Sequence, residues 1–275
     1  MAQEFPTGFG RPKEWKHFTK RHQLFLKRFP NLQGALHPAF LRGFSSSEPV
    51  DRVVFISGRL CVEDFNEILL LCGNGHGIGA MKILRGMYER AVTARYLHLY
   101  PKETDAFLNF YWISQHRLAE DFKRTFGEDF APKDELKKIE ERYQEVRDQF
   151  MVTDCKKCKT KRLNHTWSKL DFISMARQVG GVGKLTLPAY SLPTQEAHST
   201  VRAILSRLKE TQDGRLTFDE GPKHDEADTC LIVAHSTILD VLALQKEHFK
   251  LDRLEQPLQQ CLQDFQEIWG EKRRP

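Results

Sequence analysis

The chain reads as an all-α protein, a single domain of about nine packed, largely antiparallel helices with a protruding charged hairpin around residues 130–165. Three observations carry this reading. Apolar residues recur at helical spacing through most of the 275 residues, and no segment alternates with the period of a confident strand. Gly, Pro and Ser clusters interrupt the helical stretches where short interhelical turns are needed. Hydrophobic residues make up 40% and charged residues 29%, with 19 Phe available for packing, which suits a globular core. No run of about 18 uncharged apolar residues suggests a membrane span. The opening MAQEFPTGFGRPKEW lacks the apolar core of a secretory signal.

Taken in order, residues 12–29 form a basic amphipathic helix with Trp15, Phe18, Leu24, Phe25 and Phe29 on its apolar side. Residues 30–47 read as an irregular lead-in, so residues 1–47 precede the core. Ser47 ahead of Glu48 and Pro49 marks the start of a helix that runs to about Cys72. Gly73-Asn74-Gly75-His76-Gly77 then breaks the pattern. It suits either an anion site at a helix N-terminus or a tight interhelical turn. The turn is favoured, because the strand and the Lys-Ser/Thr pair of a phosphate loop are missing. A long helix covers 76–100 and stops at Pro101, and another covers 103–125. Residues 132–150 carry dense charges at i,i+4 spacing and little apolar support, as a solvated arm or one half of a helical hairpin would. The core domain extends over 48–250, with residues 130–166 as its charged arm and basic, cysteine-containing loop. Within it, helices are expected at 167–179, about 195–209 and 225–249, and 211–224 can hold a small hairpin. Residues 251–275 form a last helix and tail.

Four of the six cysteines, Cys61, Cys72, Cys230 and Cys261, sit singly inside helical patterns, where Cys behaves as a small apolar residue. A disulfide framework is not indicated, and a reducing, cytoplasmic compartment is expected. The net charge of +5 permits contact with nucleic acid or acidic partners without requiring it.

The richest stretch is HGIGAMKILRGMYERAVTARYLHLY, residues 76–100. At about 100° per residue, Ala80, Met81, Leu84, Met87, Tyr88, Ala91, Val92 and Leu99 share one broad apolar arc. Arg95 lies near its middle, and Arg85 and Glu89 lie four apart on its edge. An ionised group on a packing face is costly unless paired, so this helix lines either a buried ion-pair network or a polar pocket. In the pocket reading, Arg85 holds an anionic group and Glu89 a base or water. Tyr190-Ser191 and His198-Ser199 form a second group: on a helix beginning near Pro193, His198 either faces inward and serves as acid or base near neutral pH, or is a satisfied core or surface histidine.

Cys155-Lys-Lys-Cys158 with His165 supplies three of the four ligands that a structural zinc needs, so no metal is expected and the pair reads as free thiols in a surface loop. The run Lys156, Lys157, Lys159, Lys161 and Arg162, with Trp167 beyond it, suits phosphate contact with base stacking, or else a solvated loop. No complete cofactor motif is found, and no cofactor is expected.

The helix ILRGMYERAVTARYL with the later Tyr-Ser…His-Ser segment resembles a bacterial all-helical family of unknown function, over roughly residues 50–245. In that family an Arg-x3-Glu helix precedes a Tyr-Ser…His-like segment. The resemblance marks Arg85, Glu89, Tyr190 and His198 and implies no reaction. Metal-independent ribonucleases of toxin and phage-defence systems carry Arg-x4–6-His on a helix. Only Arg11 and His17 show that spacing here, with Pro12 between them.

Three functions follow as expectations. The first is a binding or effector protein whose Arg85, Glu89 and His198 hold a nucleotide or RNA. The second is a metal-independent phosphodiesterase with His198 as acid/base and Arg85 as electrostatic stabiliser. The third is a structural interaction protein.

Overall fold

The computed structural model describes residues 10–127, 131–153, 160–198 and 200–270. The fold is all-α, as the periodicity predicts, with eleven α-helices and two short antiparallel strand pairs among the described residues. The helices begin with α1 (Pro12–Arg21), α2 (Gln23–Phe40), α3 (Pro49–Gly73) and α4 (Gly77–Leu99). Next come α5 (Thr104–Phe126), α6 (Lys133–Val146), strands β1 (Met151–Thr153) and β2 (Lys161–Leu163), and α7 (Phe172–Gln178). Short helices α8 (Leu192–Ala197) and α9 (Val201–Leu205) precede strands β3 (Leu208–Glu210) and β4 (Leu216–Phe218). The chain closes with α10 (His224–Phe249) and α11 (Glu255–Trp269). It divides into two compact units, residues 1–98 with 175–275, and residues 99–174.

The larger unit is organised around α10, which packs on α2, α3 and α11. By length and composition α10 could cross a membrane, yet 72% of its apolar window is buried inside the fold. Its buried side chains include Leu231, Ile238, Leu242 and Leu244. Its buried polar side chains bond other helices or its own backbone, although Gln245 Oε1 has no partner among the described residues. Trp269 of α11 donates its indole N–H to His235 Nδ1 at 3.1 Å, and Gln245 Nε2 donates to the Val54 carbonyl of α3 at 3.0 Å. Thr237 bonds back to the Val233 carbonyl at 2.8 Å.

Two sequence expectations are corrected at the N-terminal end. The single helix over 12–29 is broken at His22, whose φ of −115° and ψ of 32° separate α1 from α2. The break accompanies a long-range bond, since His22 Nε2 lies 2.9 Å from Asp228 Oδ1 of α10. Residues 30–40 are not irregular either, because α2 continues through Pro30 and Pro38 to Phe40. An interior proline costs a helix about 3 kcal/mol. Phe25, Leu32, Ala35, Ala39 and Phe40 bury one face of α2, and large apolar side chains gain roughly 1.5–3 kcal/mol each when buried.

The glycine-rich break after α3 is the tight turn. Gly75 adopts φ +75°, and a Cβ on Gly77 would come within 2.3 Å of the Lys223 carbonyl. The N-terminus of α4 is thus closed off by the backbone that starts α10.

Residues 99–174 form a unit with its own core of Ile113, Val146 and Phe150. The expected solvated arm is α6, which packs on α5 through Val146 and Tyr143; the Tyr143 ring stacks on His116 at 3.7 Å. Strands β1 and β2 pair in register Met151↔Leu163. In the larger unit, the hairpin allowed over 211–224 forms slightly earlier, as β3 and β4.

Burial pulls the His235 ring down from its ordinary 6.5 to about 4. The unfolded chain therefore takes up the proton first. The neutral ring contributes stability that is full above about pH 6.5 and is lost as pH falls through about 4, on the order of 3 kcal/mol. His235→Gln keeps an acceptor for Trp269 and should remove that acid sensitivity. Urea unfolding at neutral pH and near pH 4 checks this. Wild type is expected to lose about 3 kcal/mol more than the variant, and equal losses would count against it.

Candidate functional site

The edge of α4 meets the segment 183–198 through two side chains one turn apart, Arg85 and Tyr88, and Glu89 pairs with Arg85 on the same helix. Tyr88 is the anchor. Its hydroxyl lies 2.9 Å from Thr186 Oγ1 and 3.4 Å from the Gly183 carbonyl. Burial raises its phenol, so the hydroxyl stays protonated and able to donate. After Thr186 the chain makes a π-helical turn, Leu187–Ser191, and passes directly into α8. Thr194 Oγ1 donates to the Tyr190 carbonyl at 2.6 Å and ties the two together. Such turns widen the backbone and often accompany functional sites.

This local fold brings Tyr190 and His198 to Arg85. The Arg85 guanidinium carbon sits 5.2 Å from the Tyr190 ring centroid. Its Nη2 lies 3.2 Å from Glu89 Oε1, and its Nη1 lies 3.3 Å from His198 Nε2. Its Nε is buried and has no hydrogen-bond partner among the described residues. Guanidinium only donates, so a hydrogen bond in this contact has His198 Nε2 as its acceptor. Ser191, half-buried, ends the π turn and is the residue ahead of α8.

One expectation about His198 is corrected. It does not face inward from a helix spanning 195–209. Helix α8 ends at Ala197, His198 turns to φ −101° and ψ 157°, and α9 starts anew with Thr200 Oγ1 accepting from the Ala203 amide at 3.1 Å. His198 is therefore exposed in the gap between two short helices. A depression of about 610 Å³ is lined by residues of α4, α8, α9 and α10, among them Met81, Gln195, Glu196, Arg202 and Glu226, and not by His198 or Arg85. Met81 is one turn before Arg85 on α4. The Glu196 side chain is only 8% exposed and lies 3.8 Å from Arg202.

Arg95 does not join this cluster. Ten residues of helix place it about 15 Å further along α4. There it pairs with Glu247 at 2.5 Å and Asp240 at 3.6 Å, both on α10. Glu247 also meets His98, whose other nitrogen faces His248 at 2.9 Å, and His248 reaches Asp51 of α3 at 2.9 Å. Arg95 thus belongs to an interhelical charge network.

The other candidates lie elsewhere. Lys156, Lys157 and Lys159, with Cys155, Cys158 and Ser199, fall outside the described residues. Lys161 and Arg162 are exposed on β2. Trp167 is not an open stacking platform; it is half-buried and meets Phe107 edge-on at 5.3 Å. Among the described residues no group of three or more His, Cys, Asp or Glu could hold a metal ion. Arg11 precedes α1 rather than lying within it, and His17 packs on His224 at 4.3 Å.

Sequence reasoning missed Tyr88, absorbed into the apolar arc, and Glu196 and Arg202, which look like ordinary surface charges. It also missed Asp228, an acid at the edge of the apolar run of α10. The logic applied to Arg95, a charge on a packing face, would have flagged it.

A family of unknown function, DUF5677, matches residues 53–215, and the chain belongs to it. No curated protein and no solved structure matches. The matched span contains Arg85, Glu89, Tyr190 and His198 and stops short of α10.

The Arg85 and Glu89 side chains are 25% and 39% exposed, so their pair is screened by water. Glu89→Gln should lower unfolding free energy by less than about 1 kcal/mol. Urea titration at neutral pH reads this directly, and a loss of about 3–5 kcal/mol would mark the pair as a buried structural bridge.

Proposed function

We propose that this protein binds an anionic ligand of nucleotide or RNA type through Arg85, Glu89 and His198. The observation that supports this best is the state of Arg85. Its guanidinium is held against Tyr190 and reached by His198 from 113 residues away, while its buried Nε has no partner among the described residues. A purely structural arginine would be closed in, as Arg95 is. A phosphate group replaces His198 or bridges it to Arg85, gaining charge-assisted hydrogen bonds from the planar fork. Glu89 keeps that fork oriented.

A hydrolytic reading is favoured by one observation, the exposed His198 in direct contact with Arg85. That pair has the parts for proton transfer beside a stabilised phosphorane-like state. Incubating a labelled RNA oligonucleotide with the protein and a chelator separates the two. Chain cleavage lost in His198→Ala supports hydrolysis, and intact RNA with retained binding supports the binding reading.

Calorimetric titration with mononucleotides tests the site itself. Arg85→Ala and His198→Ala should each weaken binding about tenfold or more, the worth of one charge-assisted contact. Equal affinity in wild type and Arg85→Ala would remove the site from consideration. RNA contact by Lys156, Lys157, Lys159, Lys161 and Arg162 is a separate proposal. It predicts a salt dependence of log K with slope roughly −2 to −4, reduced by about one per Lys→Ala change. Filter binding over a salt series reads the slope, and identical weak affinity in a triple Lys→Ala variant would reduce the run to a solvated loop.

A further inference from the structure

Helix α5 buries one face and leaves an apolar row on the other. The inner face packs on α6 and the turn Arg147–Phe150 through Ile113, Val146 and Phe150, with Phe110 and Trp112 at its margin. On the opposite side Leu108, Tyr111, Gln115, Leu118 and Phe122 follow one another at spacings of three and four residues. Gln115 is half-buried, and the other four, all large and apolar or aromatic, are between 41% and 55% exposed. Phe126 continues the line one turn further, its ring stacked on that of Phe122 at 5.6 Å. Single exposed apolar side chains are ordinary on a protein surface, but a continuous row of them marks an interaction site. From Leu108 to Phe126 the row is about 27 Å long at 1.5 Å per residue.

Alternating steps of three and four are those of a coiled-coil seam, in which the apolar rows of two helices interlock. The pattern of this row fits a second α5 running antiparallel. It reads nearly the same in both directions from Gln115, with Tyr111 and Leu118 nearest on either side and Leu108 and Phe122 beyond them. A two-fold interface requires a surface complementary to itself in this way. The Gln115 amide both donates and accepts, so two copies can bond each other near the axis and set the register. The charges match as well. At about 100° per residue the exposed Asp105 and Lys123 lie on the same flank of the row, towards opposite ends of the helix. Antiparallel copies bring like flanks together, so Asp105 of each copy meets Lys123 of the other. The opposed helix dipoles favour the same direction. A flank carrying both signs differs from the Lys/Arg-rich polar face with which an amphipathic helix lies on a membrane.

We infer that α5 pairs with α5 of a second copy of this chain, antiparallel, along Leu108, Tyr111, Gln115, Leu118 and Phe122, with an Asp105–Lys123 ion pair at each end. The apolar row supplies the affinity, and the exposed ion pairs supply direction and add little to it. One helix pair is a small interface, so the association is weak and depends on concentration in the micromolar range. The surface shares no residue with the Arg85 cluster, and self-association needs no ligand there.

Sedimentation equilibrium of the full-length chain at low salt, over about 1–500 μM, reads the association. The expected result is a monomer–dimer equilibrium. Leu118→Glu puts a charge into the row at an exposed position, so it should weaken the dimer more than about tenfold while the circular dichroism spectrum stays that of wild type. Asp105→Lys and Lys123→Asp each set like charges together at both ends. Each should weaken the dimer about threefold to tenfold, and the double variant should return to within about twofold of wild type. That rescue is particular to the antiparallel pairing. A wild type that stays monomeric throughout the series overturns the inference, and so does a dimer that Leu118→Glu leaves intact. Single charge swaps without effect, or a double variant that is not rescued, overturn it as well.

Discussion

Four polar side chains of α10 are almost fully buried, Asp228, His235, Thr237 and Gln245, and much of the larger unit is arranged around satisfying them. A buried polar group without a partner costs roughly 1–3 kcal/mol, and a buried charge costs more. Asp228 draws His22 and Arg21 in, which places the break between α1 and α2. His235 takes the indole N–H of Trp269, which fixes where α11 ends against the core. Gln245 reaches the backbone of α3 at Val54. The apolar surface of α10 sets how much area the neighbouring helices bury, while these polar groups set their register.

The same constraint separates the two arginines of α4. Arg95 meets carboxylates of α10 at 11% side-chain exposure and is held between helices. Among the described residues Arg85 meets only one carboxylate, from its own helix, and otherwise an imidazole and an aromatic face. A charge in that setting is oriented without being neutralised on all sides. Tyr88 achieves the orientation by pinning the 183–186 backbone to α4, so that the following π turn delivers Tyr190 and then His198.

The helical character and the Arg85–Glu89 edge were legible because both depend on spacing within one segment. So was the family resemblance, whose motif residues all lie inside the matched span 53–215. The joint placement of Arg85 with His198 was legible only as a resemblance, because no local signal encodes a contact between positions 113 apart. Arg95 gave the same signal as Arg85, and only the location of Glu247 and Asp240 distinguishes them. The kink at His22 could not be read locally, since its partner is 206 residues away. The prolines of α2 misled for the opposite reason. Local propensity argued for an irregular segment, and tertiary burial of Phe25, Leu32 and Phe40 overrode it.

The central claim is that the contact between Arg85 and His198 is kept for a ligand and does not hold the fold together. A double-mutant cycle with Arg85→Ala and His198→Ala, followed by urea unfolding, measures that contact directly. The account predicts a coupling energy within about 0.5 kcal/mol of zero, as for a solvent-screened pair. A coupling of about 2 kcal/mol or more would make the pair a structural clamp and contradict it.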